Sequence, residues 1–380
     1  MKLGRFVFDG HIHCGKKDAA LLNSKLSGVW SEVEEVDNSD MILYDMDAYE
    51  IDMGMLLPSF TGTTNKGYGN IVKRHPKRFV SCCMDTNTRL KAVRGEKEWN
   101  IHDAIKEIDE TLTNEPEIFV GIGEFAPGCM GVVRYRPTRY QRFEELCAIA
   151  EVAVAHDVPV YFHEYDSVNM EAPFTMLSDV CSIYPNFKVI IAHGGGYKPF
   201  EIEKACTLAG SFDHIYLETG YWKADYYEYA LKDYHVGAKK LIWGGGDTGS
   251  RLWYPQATRP AAKYGETTRV WHNRNNWVGS KREADYQPDY YGWATHQIHR
   301  LKDLELCTQD EINLIIGGNA ARLYKLKLNP LITFASNRPD LWIPSEEQLN
   351  RLDPVVKREY GGHGGEHGDE DYAPAANFFK

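Results

Sequence analysis

Six side chains of metal-ligating type follow short apolar runs along the 380-residue chain. They are His11 and His13 after FVF, Glu124 in VGIGEF, His163 in VPVYFHE, His193 in FKVIIAHGGG and Asp247 in LIWGGGD. On an extended chain, residues i and i+2 point to one side, so His11 and His13 face a common point while Ile12 turns away into packing. Two imidazoles so placed form a grip for a cation, and imidazole with carboxylate suits zinc, iron or manganese. Any one of these residues is explicable as a polar residue at a strand end. Their repeated place behind an apolar run is the signal. Cys14, beside the pair, either packs against it or takes part as a thiolate.

Such residues act together only if their elements converge. Apolar runs at 3–9, 51–57, 78–84, 117–124, 158–163, 187–193, 214–219 and 239–244 read as eight strands. Amphipathic segments lie between most of them. In 141–157, Phe143, Leu146, Ile149, Ala150 and Ala153 form one helical stripe. An alternating β/α series favours a parallel sheet, and eight strands favour closure into a (β/α)8 TIM barrel, an α/β fold whose functional residues gather at the C-terminal strand ends. An open doubly wound sheet is the alternative, but no G-x-G-x-x-G follows the first strand.

The barrel is expected over 1–327 and an extended tail over 328–380. Within the barrel, 14–38 forms a long first loop, and 312–327 a final helix interrupted at Gly317–Gly318. An aromatic insertion at 248–295 follows strand eight and either caps a site or builds a subunit interface. His363 and His367 in the tail read as solvated rather than metal-binding.

A formal net charge of −11 argues against a nucleic-acid partner or an anionic membrane surface. No stretch approaches 18 continuous apolar residues and the N-terminus lacks a signal-peptide run, so a cytoplasmic location is expected. The eight cysteines form no C-x-x-C pair and read mainly as core residues.

The HIH pair, the histidines of VYFHE and IIAHGGG, the aspartate of WGGGD and the closing IIGGNAARLYKL together resemble the amidohydrolase superfamily over about residues 3–327. Within it, the chain resembles the branch of aromatic-acid decarboxylases that includes 2-amino-3-carboxymuconate-semialdehyde decarboxylase. The resemblance implies a metal centre in one of two forms. In the mononuclear form, His11, His13, His163 and Asp247 hold one cation and His193 transfers protons. In the dinuclear form, Glu124 bridges two cations, with His11, His13 and Asp247 on one and His163 and His193 on the other. Glu124 is similar to the glycine-flanked glutamate of some metal-dependent deoxyribonucleases of the superfamily. Two divalent cations per chain (Zn, Fe or Mn) suit that many ligating groups, and the dinuclear form is preferred. The alternative for Glu124 is outside the ligand set, accepting a ring N–H from His13 or His163. Glu218 ends strand seven and could order a ligand or contact substrate.

The preferred chemistry is hydrolysis of a small organic acid or amide by metal-activated water, with Asp247 taking a proton and His193 in the catalytic set. Three other readings stay open: a dinuclear iron or manganese oxygenase of a small acid, a non-oxidative decarboxylase or hydratase, and a non-catalytic subunit of a heteromer. Lys198 and Arg251 lie in loops after ligand-bearing strands and are candidates to pair with a substrate carboxylate, opposite surface solvation. Trp222 and Trp253 either wall the cavity or pack, and Tyr165 and Tyr197 supply hydroxyls or pack. The expected partners are an anionic small-molecule substrate and other subunits, in a homo- or hetero-oligomer.

Overall fold

Each of the eight apolar runs overlaps a strand, the first and fourth strands running past the ends of theirs, and the strands pair in parallel in sequential order. The computed structural model describes residues 6–14, 37, 39–58, 63–93, 96–125, 138–163, 173–196, 199–220, 222–245 and 290–327. The first half of the series runs β1 (Phe8–Ile12), α1 (Ser39–Ala48), β2 (Met53–Leu56), α2 (Asn65–Arg74), β3 (Phe79–Cys83), α3 (Thr86–Val93), α4 (Ile101–Asn114) and β4 (Phe119–Phe125). The second half runs α5 (Arg139–His156), β5 (Val160–Phe162), α6 (Pro173–Ile183), β6 (Val189–Ile191), α7 (Pro199–Ser211), β7 (Ile215–Glu218), α8 (Ala224–Glu228) and β8 (Leu241–Ile242). Three helices follow, α9 (Tyr290–Asp303), α10 (Gln309–Asn313) and α11 (Asn319–Leu323). Gly10 N–H donates to the Trp243 carbonyl at 2.9 Å, joining β1 to the end of β8. The sheet is therefore a nearly closed barrel.

Two apolar layers hold it. Phe6, Phe8, Met55, Val80, Cys82, Tyr161, Ile190 and Ile242 fill the interior, floored by Ala320, Leu323 and Tyr324. A larger layer lies between strands and helices. In α5, Leu146, Ile149, Ala150 and Ala153 are buried as the stripe requires, and Thr138 with Gln141 forms a capping box at its start. Each large apolar side chain so buried contributes about 1.5–3 kcal/mol.

Two strands depart from simple alternation. Asp9 pairs with Gly54 and Ile12 with Leu56, so β1 carries one residue more than β2 over that span. Phe8 accordingly faces the interior while Ile12 packs in the outer layer, although four residues apart they would otherwise share a face. In β4, Ile122 pairs with Val160 and Phe125 with Phe162, again one residue extra. These are bulges, which re-aim side chains at the rim of a sheet. One falls beside His11, the other at Gly123–Glu124, whose peptide bond is cis. Gly123 has φ +133°, and a Cβ there would lie 2.5 Å from the Tyr161 carbonyl oxygen. Only glycine suits the position.

The final helix differs from its expected break at Gly317–Gly318. The chain stays helical, α10 passing through a π-helical turn (Leu314–Gly318) into α11. A Cβ on Gly317 would stand 2.2 Å from the Phe6 carbonyl oxygen, so the glycine permits close packing on the entry to β1. Of the aromatic insertion, 248–289 lies outside the described residues, while 290–295 begin α9. There Tyr291 stacks on Trp243 with centroids 6.1 Å apart. The tail at 328–380, with His363 and His367, and all of 14–38 except Cys14 and Asp37 lie outside the described residues. Among the described residues no helix is long and apolar enough to cross a membrane. The seven described cysteines are free thiols.

Candidate metal centre

His11 and His13 project from β1 and its end into the barrel mouth, where both are buried. Their outer ring nitrogens are already committed. His11 Nδ1 lies 3.1 Å from Glu218 Oε2, and His13 Nδ1 lies 3.3 Å from the Leu57 carbonyl oxygen. A carbonyl only accepts, as does an ionised carboxylate, so each Nδ1 carries the proton in the neutral ring. The two Nε2 atoms then face each other as lone pairs, 3.0 Å apart. Lone pairs that close repel unless a proton or a cation stands with them.

Glu124 decides which cation chemistry suits the pair. Its carboxylate is 3.7 Å from His11 Nε2, 3.9 Å from His13 Nε2 and 3.4 Å from His163 Nε2. An imidazolium beside it would draw in to hydrogen-bond distance. Instead Oε1 is buried and accepts no hydrogen bond among the described residues. Ligands about 2.0–2.2 Å from a shared cation stand roughly 3–3.5 Å apart. The observed separations of 3.0–3.9 Å bracket that spacing. Two triads capable of holding a cation share this carboxylate, His11–His13–Glu124 and Glu124–His163–His193. The donor set fits divalent metal.

His193 follows β6 in a 3-10 turn (Ala192–Gly195) and has φ 50° and ψ 21°. That left-handed conformation costs a non-glycine residue on the order of 1–3 kcal/mol. Its backbone is held at both ends: N–H donates to Glu218 Oε2 at 2.9 Å, and the carbonyl accepts from Trp222 Nε1 at 3.0 Å. Trp222 is buried against Tyr227 rather than lining an open cavity, which settles its two expected placements in favour of packing. The HGGG run serves this turn. Gly194 has φ +56°, and a Cβ on it would lie 2.1 Å from the Trp222 ring. The His193 ring stacks on His11 at 4.4 Å and meets His163 edge-on at 5.4 Å.

A second carboxylate at the mouth is fully engaged. Glu218 Oε2 accepts from His11 Nδ1–H and His193 N–H, and Oε1 accepts from Gly220 N–H. A Cβ on Gly244 would come 1.9 Å from Oε1, so glycine in the WGGGD run leaves this carboxylate its seat. A third, Asp9, is buried and was not singled out from the sequence. Its Oδ1 accepts from His11 N–H at 3.0 Å and Gly245 N–H at 2.8 Å, and its Oδ2 from Tyr291 O–H at 2.8 Å. It ties the first ligand strand to the loop after β8. The available signal was a charged residue inside an otherwise apolar run. Beneath His11, Tyr161 meets its ring edge-on at 5.6 Å. Burial, followed by the nearby Glu218 carboxylate, raises the Tyr161 phenol well above its usual range, and it stays neutral.

The structure thus brings together His11, His13, Glu124, His163 and His193. Asp247, Lys198 and Arg251 lie outside the described residues, as do Glu164, Tyr165, Tyr197 and Trp253. Cys14 is buried in the outer apolar layer, which fits a packing role.

Comparison with known proteins agrees with this architecture. A family profile described as amidohydrolase matches residues 58–326. A lactonase from Listeria monocytogenes superposes with a TM-score of 0.52 at 13% identity, covering 85% of this chain and 95% of that one. A phosphotriesterase homology protein from Escherichia coli, solved with phosphate in its active site, gives 0.50 at 12% identity, covering 85% and 99%. At such identities these likenesses concern the fold. No curated protein matches the sequence.

Proposed function

The chain belongs to the amidohydrolase family, and from that premise we propose that it is a metal-dependent hydrolase of a small organic acid or amide, working with two divalent cations per chain. The observation that carries the reading is Glu124 Oε1, buried between histidines from three strands without a hydrogen bond among the described residues. A carboxylate in that position supports a bridge between a cation on His11 and His13 and another on His163 and His193. Zinc, iron or manganese would suit the donors.

When bound, such cations lower the pKa of a water towards neutrality and polarise the scissile carbonyl. The chain's own residues supply the rest. Asp247 completes the ligand set and accepts the proton of the attacking water. His193 stands at the other side of the centre, its position fixed by the turn that carries it. Arg251 and Lys198 pair with the substrate carboxylate, the guanidinium in bidentate fashion. The proposal takes residues 1–327, including the 248–295 insertion, as the catalytic unit and 328–380 as an extended tail.

The test is oxygen labelling. Protein stripped of metal and reloaded with zinc or manganese is assayed on a panel of small lactones, amides and carboxylic acids in water enriched in 18O. One labelled oxygen per product, formed equally without air, is the expected result. Unlabelled oxygen entering the product only in the presence of air would replace hydrolysis with oxygenation. Carbon dioxide release with no label in the organic product would replace it with decarboxylation.

A further inference from the structure

Glu218 lies where a metal ligand could lie, its carboxylate and the rings of His11 and His193 grouped within 4.8 Å. Its hydrogen bonds give it a different task. Both oxygens are occupied by N–H donors: His11 Nδ1 at 3.1 Å and His193 N at 2.9 Å on Oε2, and Gly220 N on Oε1. Glu124, whose Oε1 accepts none among the described residues, is the contrasting case at the same mouth.

Resting on the dinuclear reading above, we propose that Glu218 is the positioning residue that joins the two cation positions. A single oxygen acts on both. Towards His11 it holds the proton on Nδ1, so that Nε2 is turned to His13 and Glu124. Towards His193 it holds the backbone N–H of a residue in the left-handed region, φ 50° and ψ 21°. Without that acceptor the turn loses the bond that offsets its strain. Trp222 Nε1 on the His193 carbonyl then remains as the other anchor.

The carboxylate itself has little freedom. It is fully buried, and a Cβ on Gly244 would come 1.9 Å from its Oε1. An ion that orders His11 therefore also orders Glu218 and, through it, the His193 turn. The two ions bind with positive coupling, and loss of Glu218 weakens both positions rather than one. An outer partner of a ligating histidine typically contributes 10- to 100-fold in metal affinity, so about that loss is expected at each position.

The experiment is titration of the full chain, stripped by chelator, with Mn2+, free ion being read by electron paramagnetic resonance. Wild type is compared with Glu218→Ala and Glu218→Gln, with circular dichroism reporting folding. Two ions in wild type, and both affinities reduced about 10- to 100-fold in E218A, support the proposal. E218Q keeps an acceptor for His11 and His193 but sets an NH2 against Gly220 N–H, so a loss near tenfold at both positions is expected. A second readout needs no metal. The 15N–1H spectrum of wild-type histidine side chains should contain a downfield His11 Nδ1–H signal, absent in E218A and shifted in E218Q.

Two ions in wild type with both affinities within about twofold in folded E218A, or with one position alone weakened, overturn the link and leave the dinuclear reading standing. If E218A does not fold, E218Q with wild-type affinities and an unshifted His11 signal overturns it. A single ion in wild type overturns the dinuclear reading and the link together.

Discussion

The two sides of the barrel mouth handle buried carboxylates in opposite ways. Where β7 and β8 meet β1, Glu218 and Asp9 each accept hydrogen bonds on both oxygens. On the β4–β5 side, Glu124 has histidine nitrogens at 3.4–3.9 Å, and its Oε1 accepts no hydrogen bond among the described residues. A carboxylate buried without donors costs several kcal/mol unless a cation accompanies it. One side is complete as folded protein. The other leaves a buried carboxylate oxygen without a donor among the described residues, as the proposed metal centre requires.

That contrast sets the order of expected effects. Glu124→Ala should lower turnover more than 100-fold, beyond the range for an outer partner of a ligand, as read by kcat/KM on metal-loaded protein. In metal-free protein the same change should leave the melting temperature unchanged or raised, since it removes an uncompensated buried group. Glu218→Ala should do the reverse when metal-free. It strands the N–H groups of His193 and Gly220, each at about 1–3 kcal/mol, and calorimetry should show a lower Tm. Equal Tm values for the two metal-free variants would erase the contrast.

Gly194→Ala tests the turn between the two sides. Its left-handed backbone costs an alanine about 1–3 kcal/mol, and the Cβ would press on Trp222. Denaturant unfolding should record at least that loss, and metal titration should show weakening at the His163–His193 position. Tyr291→Phe is the mildest change. It removes the O–H bond to Asp9 Oδ2, expected to lower stability by about 1.5 kcal/mol, the lower end for a bond to a charged group, with metal content unchanged.

Much of the architecture was legible in advance because apolar runs, helical stripes and ligand-type residues repeat in phase. Each of the eight runs overlaps a strand, and residues at the ends of β1, β4, β5 and β6 meet at one mouth. The bulges were not legible. His11 and Phe8 both face inward only because β1 gains a residue against β2, and that is visible only in the pairing. Gly123 hinted at the second bulge, but a lone glycine in a strand has several uses. For Glu218 the sequence left two tasks open, ordering a ligand or contacting substrate, and its bond to His11 matches the first. Two of its three donors come from β1 and from the turn after β6, 207 and 25 residues away, and strand-end position alone does not separate a ligand from an acceptor. Asp9 was hidden by the histidines that follow it.

The most direct test of the centre is elemental analysis of the chain purified without chelator, wild type beside Glu124→Ala. A bridging carboxylate requires close to two zinc, iron or manganese ions per wild-type chain and no more than one in the variant. A single ion in both would contradict the bridge, assigning Glu124 to the surroundings of a mononuclear site and His193 to proton transfer.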